Sequence, residues 1–241
     1  KVTYSVSGRY YTQDGIYKIG NEDYNNYNLR SKIVIRATDR LTIDNNTAYQ
    51  KMNYSQPIFS KTGSVGSQLW QIGVMGFPIL PPTNEDGTYT VAGAAGGYAA
   101  FNDGNSGQDQ IKSTLTTTLG ATYEPIKDVF KIRADFSYKN STSAVEQYLA
   151  PVSYSTAPNT YTDYVVQSQT FKKRSVAEVN HITSNVVGTF TPKLGENHLL
   201  NLVAGWNLEN YEYSMNSFHR TGLLYPSNPN FELMDGTEVK L

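Results

Sequence analysis

The stretch Phe130-Lys131-Ile132-Arg133-Ala134-Asp135-Phe136-Ser137-Tyr138-Lys139 decides how the chain is read. Its even positions are apolar or aromatic, and its odd positions are charged or hydroxylic. A two-residue period sends successive side chains to opposite faces of a strand. Phe130, Ile132 and Phe136 therefore share one face of a β-strand, and Lys131, Arg133 and Asp135 share the other. A helix would scatter both sets around its circumference.

The same alternation recurs on either side. Val2, Tyr4, Val6, Gly8 and Tyr10 alternate with Thr3, Ser5, Ser7 and Arg9. Next, Tyr27, Leu29, Ser31, Ile33, Ile35 and Ala37 oppose Asn28, Arg30, Lys32, Val34 and Arg36. From Ile111, the set Ile111, Leu115, Leu119, Ala121 and Tyr123 faces away from Lys112, Thr114, Thr116, Thr118 and Thr122. Leu200, Leu202, Ala204, Trp206 and Leu208 oppose Asn201, Gly205, Asn207 and Glu209. Weaker alternation marks strands at about 41–54 and 178–191. About seven strands of roughly 10–14 residues follow, against about 5–6 in ordinary globular sheets and about 9–11 in a tilted membrane-spanning strand.

The links between strands sort by length. Thr38-Asp39-Arg40, Glu124 to Asp128 and Pro192 to Asn197 are short, with Gly195 available for positive φ. Gln13–Asp23, Gln56–Gln110 and Asn140–Ser175 are long. Short and long alternate, so the long ones gather at one rim of the sheet. Outer-membrane barrels have this asymmetry, whereas a Greek-key sandwich has no reason to produce it. The fold expected is all-β: an antiparallel transmembrane barrel segment with short periplasmic turns and long extracellular loops. In the longest link, Ser67 to Met75 reads as a short helix with Leu69, Trp70 and Val74 on its packing side, ended by Pro78, Pro81 and Pro82. Gly93 to Gly97 and Asp103 to Gly107 read as flexible turns.

Composition excludes several functions. With 241 residues and a net charge of −1, the chain lacks the basic excess of a nucleic-acid binder. Without cysteine, it has no disulfides, thiol chemistry or thiolate metal site. No apolar run reaches the roughly 18 residues of a spanning helix. A mean hydropathy of −0.47 suits a wall wetted on one side as well as a soluble protein. The 19 tyrosines suit strands at a membrane–water boundary. Neither GxSxG nor a phosphate loop occurs, and Glu22-Asp23 and Glu85-Asp86 are neighbours within loops, so no enzyme reading follows.

Tyr4-Ser5-Val6-Ser7-Gly8-Arg9-Tyr10, Gln13-Asp14-Gly15-Ile16 and Tyr27-Asn28-Leu29-Arg30-Ser31-Lys32-Ile33 resemble the start of a SusC/RagA-type barrel. Asp39-Arg40-Leu41-Thr42, Pro78 to Pro82, Asn84 to Tyr89 and Tyr225 to Phe231 extend the likeness in order along the chain. The resemblance implies residues 1–241 of a barrel of about 22 strands in a TonB-dependent importer of oligosaccharides or peptides in the bacterial outer membrane. It implies a plug, a TonB complex and a SusD-like surface lipoprotein as partners; no plug or TonB-binding segment is recognised here. A secreted β-sandwich that binds carbohydrate and a siderophore receptor are the alternatives.

Within that reading, Leu29, Ile33, Ile35, Phe130, Ile132, Phe136, Leu200, Leu202 and Trp206 face lipid. Arg30, Lys32, Arg36, Lys131, Arg133 and Asp135 face the lumen, where plain solvation is the simplest explanation of their charge. Trp70, Phe77, Tyr98 and Phe101 are candidates for substrate or partner contact, or else hold the loop together. Asp103, Asn105 and Asp109 faintly resemble a calcium loop but lack its bidentate Glu, so a plain turn is the reading and no cofactor is expected.

Overall fold

The computed structural model describes residues 1–15, 20, 22–59, 70, 72–74, 79–103, 106–164, 170–195, 198–225 and 227–240. The seven expected strands are all present: β1 (Val2–Asp14), β2 (Asp23–Arg36), β3 (Leu41–Pro57), β4 (Gly107–Ile126), β5 (Phe130–Leu149), β8 (Phe171–Phe190) and β9 (Leu202–Thr221). Between β5 and β8 stands the hairpin of β6 (Val152–Ala157) and β7 (Thr160–Tyr164), and β10 (Glu238–Lys240) closes the series. One antiparallel sheet runs β1-β2-β3-β4-β5-β8-β9-β10, and the hairpin forms a second, two-stranded sheet. Each long strand pairs with its sequence neighbour, apart from the excursion between β5 and β8.

The strands are longer than alternation suggested. β4, β5, β8 and β9 each hold 20 residues. Their extra length, such as Asn140–Ser143, is polar on both faces, so no hydropathy period marks it. Pairing with Glu178 and its neighbours on β8 holds it extended instead. The excursions shrink to match. Residues 15–22 now link β1 to β2, while 191–201 link β8 to β9, so the latter is the longer connection. A bridge between Lys193 and Leu199 makes it a narrowed continuation of the hairpin, turned at Gly195 with φ +90°. Asp128, with φ 58°, turns the link between β4 and β5, a conformation that Asp adopts more readily than most residues.

The expanses 58–106, 150–170 and 222–237 lie at one rim, and the first two pack together. Phe59, Ala94, Ala99, Ala100, Phe101 and Val152 form a small core there, with Ile72, Tyr89, Tyr154 and Tyr164 against it. Two short helices, α1 (Val91–Ala95) and α2 (Tyr98–Asp103), replace the flexible turn expected at Gly93–Gly97. Thr90 caps α1 by accepting from the Gly93 amide, and Gly97, at φ +87°, turns the chain into α2 under the Phe59 ring. Ser106, fully buried, accepts from the Ala150 amide at 3.0 Å and ties the two expanses at their roots.

Candidate functional site

Register converts strand parity into faces. Directly opposed residues point to the same side of a sheet, and Tyr4 opposes Ile33, Ile33 opposes Asn45, Asn45 opposes Leu119, Leu119 opposes Phe136, Phe136 opposes Ser184 and Ser184 opposes Leu208. The next row runs Val2, Ile35, Ile43, Ala121, Ala134, Val186 and Trp206. These rows belong to one apolar face. All eight strand residues expected on the lipid side lie on it; Leu200 precedes β9, in the 191–201 link.

Among the described residues, no second layer of protein covers this face. Leu29, Leu119, Phe136, Leu202 and Trp206 are each about half exposed. Along a strand the apolar run is bounded, from Val2 to Tyr10, Tyr27 to Ile35 and Phe130 to Tyr138, which are lengths of about 9–11 residues in the sense of a tilted spanning strand. Aromatic rings stand at both ends. Tyr10 and Tyr27 lie 4.9 Å apart at one limit, and Phe130 meets Phe190 edge-on at 6.2 Å at the other. Beyond Tyr138 the same face turns polar: Asn140 donates to Glu178 at 2.9 Å and to Asn180 at 2.8 Å.

The opposite face carries the charges. Arg30, Lys32, Arg36, Lys131, Arg133 and Asp135 all lie on it, but they divide into two groups. Arg133 donates to Asp44 and to Asp135, both at 3.0 Å, and to the Thr122 hydroxyl at 3.3 Å. His181 and Glu209 pair nearby at 2.6 Å. Among the described residues, Arg30, Lys32, Arg36 and Lys131 have no carboxylate within ion-pair distance. Asp44 was missed in the sequence because nothing local marks it, and only the register brings it to Arg133; His181, which has no zinc-ligand spacing in the sequence, meets Glu209 through the β8–β9 pairing. Arg9 was legible by parity, being the odd-numbered partner of Ser7 and Ser5, and it sits beside Arg30 through the β1–β2 pairing.

The loop aromatics do not act as a set. Phe101 is wholly buried in the small core and meets Phe59 at 5.9 Å, so it holds the loops together rather than presenting a contact surface. Tyr98 is half-buried and stacks edge-on against Tyr89 at 6.2 Å. Trp70 is 68% exposed and Val74 58%, whereas Ile72 packs inward, so the expected packing side of that helical segment is the wrong one. Phe77 and Leu69 lie outside the described residues. Of the calcium candidates, Asp103 accepts from the Tyr89 hydroxyl and Asp109 from Ser55 at 2.7 Å, each in a different setting, and Asn105 lies outside the described residues.

At the loop tip, Asn84 and Thr88 close a tight turn. Asp86 accepts from both the Thr88 amide and the Thr88 hydroxyl, and these bonds hold its carboxyl below the ordinary carboxylate range. Asn84 also donates to the Ser155 carbonyl at 3.2 Å, which fastens the β6–β7 hairpin to this turn. Burial, and then the bond to Asp103, pushes the Tyr89 hydroxyl upward.

A single antiparallel sheet with one apolar and one charged face defines the class: a section of barrel wall. Among solved structures, the chain is similar over 100% of its length to a chain of the RagAB peptide transporter, with a TM-score of 0.69 and 15% identity. It is similar over 99% of its length to a chain of the RagAB peptide importer in the "closed-closed" state, with a TM-score of 0.65 and 14% identity. In both cases it spans 27% of that chain. No protein-family model and no curated protein matches the sequence. The fold is therefore that of part of such a barrel, in keeping with the SusC/RagA resemblance.

Proposed function

We propose that this chain is a section of the wall and outer loops of a TonB-dependent outer-membrane importer of nutrients. The observation that carries the reading is the apolar band on an uncovered sheet face, of membrane-strand length and edged by aromatic rings, with the charges of β2 and β5 within its span on the reverse. In lipid every backbone amide must be paired within the protein. Among the described residues, β1 pairs along one side only, and β10 covers only residues 218–220 of β9. Two long open edges beside exposed apolar rows are a liability that barrel closure removes. Further strands are thus required on both sides, and the unit of transport is the closed barrel with its plug.

The charged face then lines the lumen, and the packed loops stand outside the membrane. Trp70 and Tyr98 are candidate contacts for substrate or for a surface lipoprotein of SusD type. The neighbours' names favour peptide as cargo, with oligosaccharide as the class to test beside it. Cells that carry the full-length protein should take up a labelled oligopeptide or oligosaccharide in an energy-dependent way, and the protein should resist alkaline extraction from outer membranes. Release at alkaline pH would remove the membrane reading. A siderophore receptor would instead take up ferric chelates and purify without a lipoprotein lid.

A further inference from the structure

On the charged face, the β1–β4 part carries a surplus of cations. The residues of β1, β2 and β4 that point to this side include Arg9, Arg30, Lys32, Arg36 and Lys112, against one acid, Glu124, at the turn end of β4. β3 contributes one more, Asp44, which Arg133 already engages. On β5 to β9, Arg133 and His181 are matched with carboxylates, whereas Lys131, Lys139 and Lys173 have none within ion-pair distance among the described residues. Around Arg9 and Arg30 the surplus is unbalanced within the wall.

The surplus has a shaped centre. Arg9 opposes Asn28 and Ser7 opposes Arg30, so the two arginines are diagonal neighbours, about 7–8 Å apart at the backbone. They border a cavity of about 460 Å³ that Asn28, Gln50, Thr114 and Ser7 also line. Ala48, opposite Arg30, keeps its floor low. Arg9 rests over the Tyr11 ring at 5.5 Å, which limits its swing. Two forked guanidinium donors suit a carboxylate, because the fork matches its two oxygens. The Asn28 and Gln50 amides both donate to Asn26 Oδ1, at 2.8 and 3.4 Å, which leaves each a second N–H and an oxygen, the complement of a peptide unit.

We propose that Arg9 and Arg30 form a wall subsite for the carboxylate of an acidic oligopeptide passing through the lumen. This rests on the import reading above and adds the chemical class that the wall selects. An acidic surface of the same protein's plug is the competing occupant, and the test separates the two.

The test uses the full-length protein in detergent and calorimetric titration with three probes: Ala-Ala-Glu-Ala-Ala, its glutamine counterpart amidated at the C terminus, and a tri-galacturonate. The acidic peptide should bind at least about tenfold more tightly than the neutral one, a factor that RT ln 10 equates with about 1.4 kcal/mol. Raising salt should shrink that advantage, and the combined Arg9→Gln and Arg30→Gln variant should abolish it. The wild-type comparison and its salt dependence stand even if the variant fails to assemble. Equal binding of the two peptides overturns the proposal, as does an advantage that survives in the variant. So does a preference for the galacturonate, which would move the subsite to acidic sugars. Should the variant lower the unfolding temperature while the wild type shows no acid preference, the occupant is the plug and the proposal falls. The import reading fails separately, if cells take up none of these solutes or any neutral peptide or glycan.

Discussion

Arg133 on β5 reaches across β4 to Asp44 on β3, with Nη1 3.0 Å from Oδ1, and it does so at Gly120. A methyl group added at Gly120 would stand 2.7 Å from the guanidinium and 2.8 Å from both carboxylate oxygens. The glycine leaves the space that lets two non-adjacent strands meet. The pair is partly solvated, so its own stabilisation is modest, while the obstruction is costly.

Gly120→Val is therefore expected to force the pair apart and destabilise the barrel by about 1–3 kcal/mol, as overpacking does. Urea midpoints of the full-length protein in micelles would read this. In an Asp44→Asn background the same substitution should cost less, because part of the interaction is already gone. Equal costs in both backgrounds would show that the space at Gly120 does not serve the pair.

Lysine in place of Phe136, in the middle of the band, should cost about 2–4 kcal/mol, and the cost should fall through Ile132 to about 0–1 kcal/mol at Leu202, which shares the Phe130–Phe190 row at the band's limit. Thr189→Lys, on the charged face of β8 opposite Lys131, should be tolerated. The measurement is the fraction of protein with heat-modifiable mobility in outer-membrane preparations. Normal assembly of all three apolar-face variants would refute the facing.

Phe101→Ala removes a fully buried ring from the loop core and should destabilise that core by about 3–5 kcal/mol. The strands do not depend on it, so the effect should stay local. Limited proteolysis should cut within 58–106 much faster while the heat-modifiable band of the barrel is unchanged. Loss of the barrel itself would mean that the loops and wall fold as one unit.

Asp86 binds Thr88 through its charged form, and its carboxyl titrates below the ordinary value of 3.8. A lowered folded-state value means the charged carboxylate supports the turn above the ordinary value and loses that support as pH falls through the lowered one. The protection factor of the Thr88 amide, its exchange relative to an unstructured amide at the same pH, should hold down to about pH 4 and fall below it. Asp86→Ala should give the low protection at every pH. A flat profile in the unaltered protein would exclude this role for the carboxylate.

The order in which these features became legible follows from range. Alternation is local, since neighbouring side chains in a strand must point opposite ways, so Phe130 to Lys139 alone assigned its residues to two faces and Gly195 marked its own turn. Where both faces are polar, as in Asn140–Ser143, the period vanishes and only pairing with β8 makes a strand. The Gly-Ala stretch after Thr90 became helical because Phe59 and Val152 cover it. Those partners come from distant parts of the chain.

By itself, the sequence determined that long two-faced strands run back and forth, because backbone geometry imposes a period of two, and that the two largest links lie at one rim, although 191–201 at the other outgrows 15–22. Tertiary structure alone decided that Asp44 meets Arg133, that Arg9 stands beside Arg30, and that Phe101 is core rather than contact. Each depends on register or packing between segments far apart in the chain, and no local pattern encodes such a meeting.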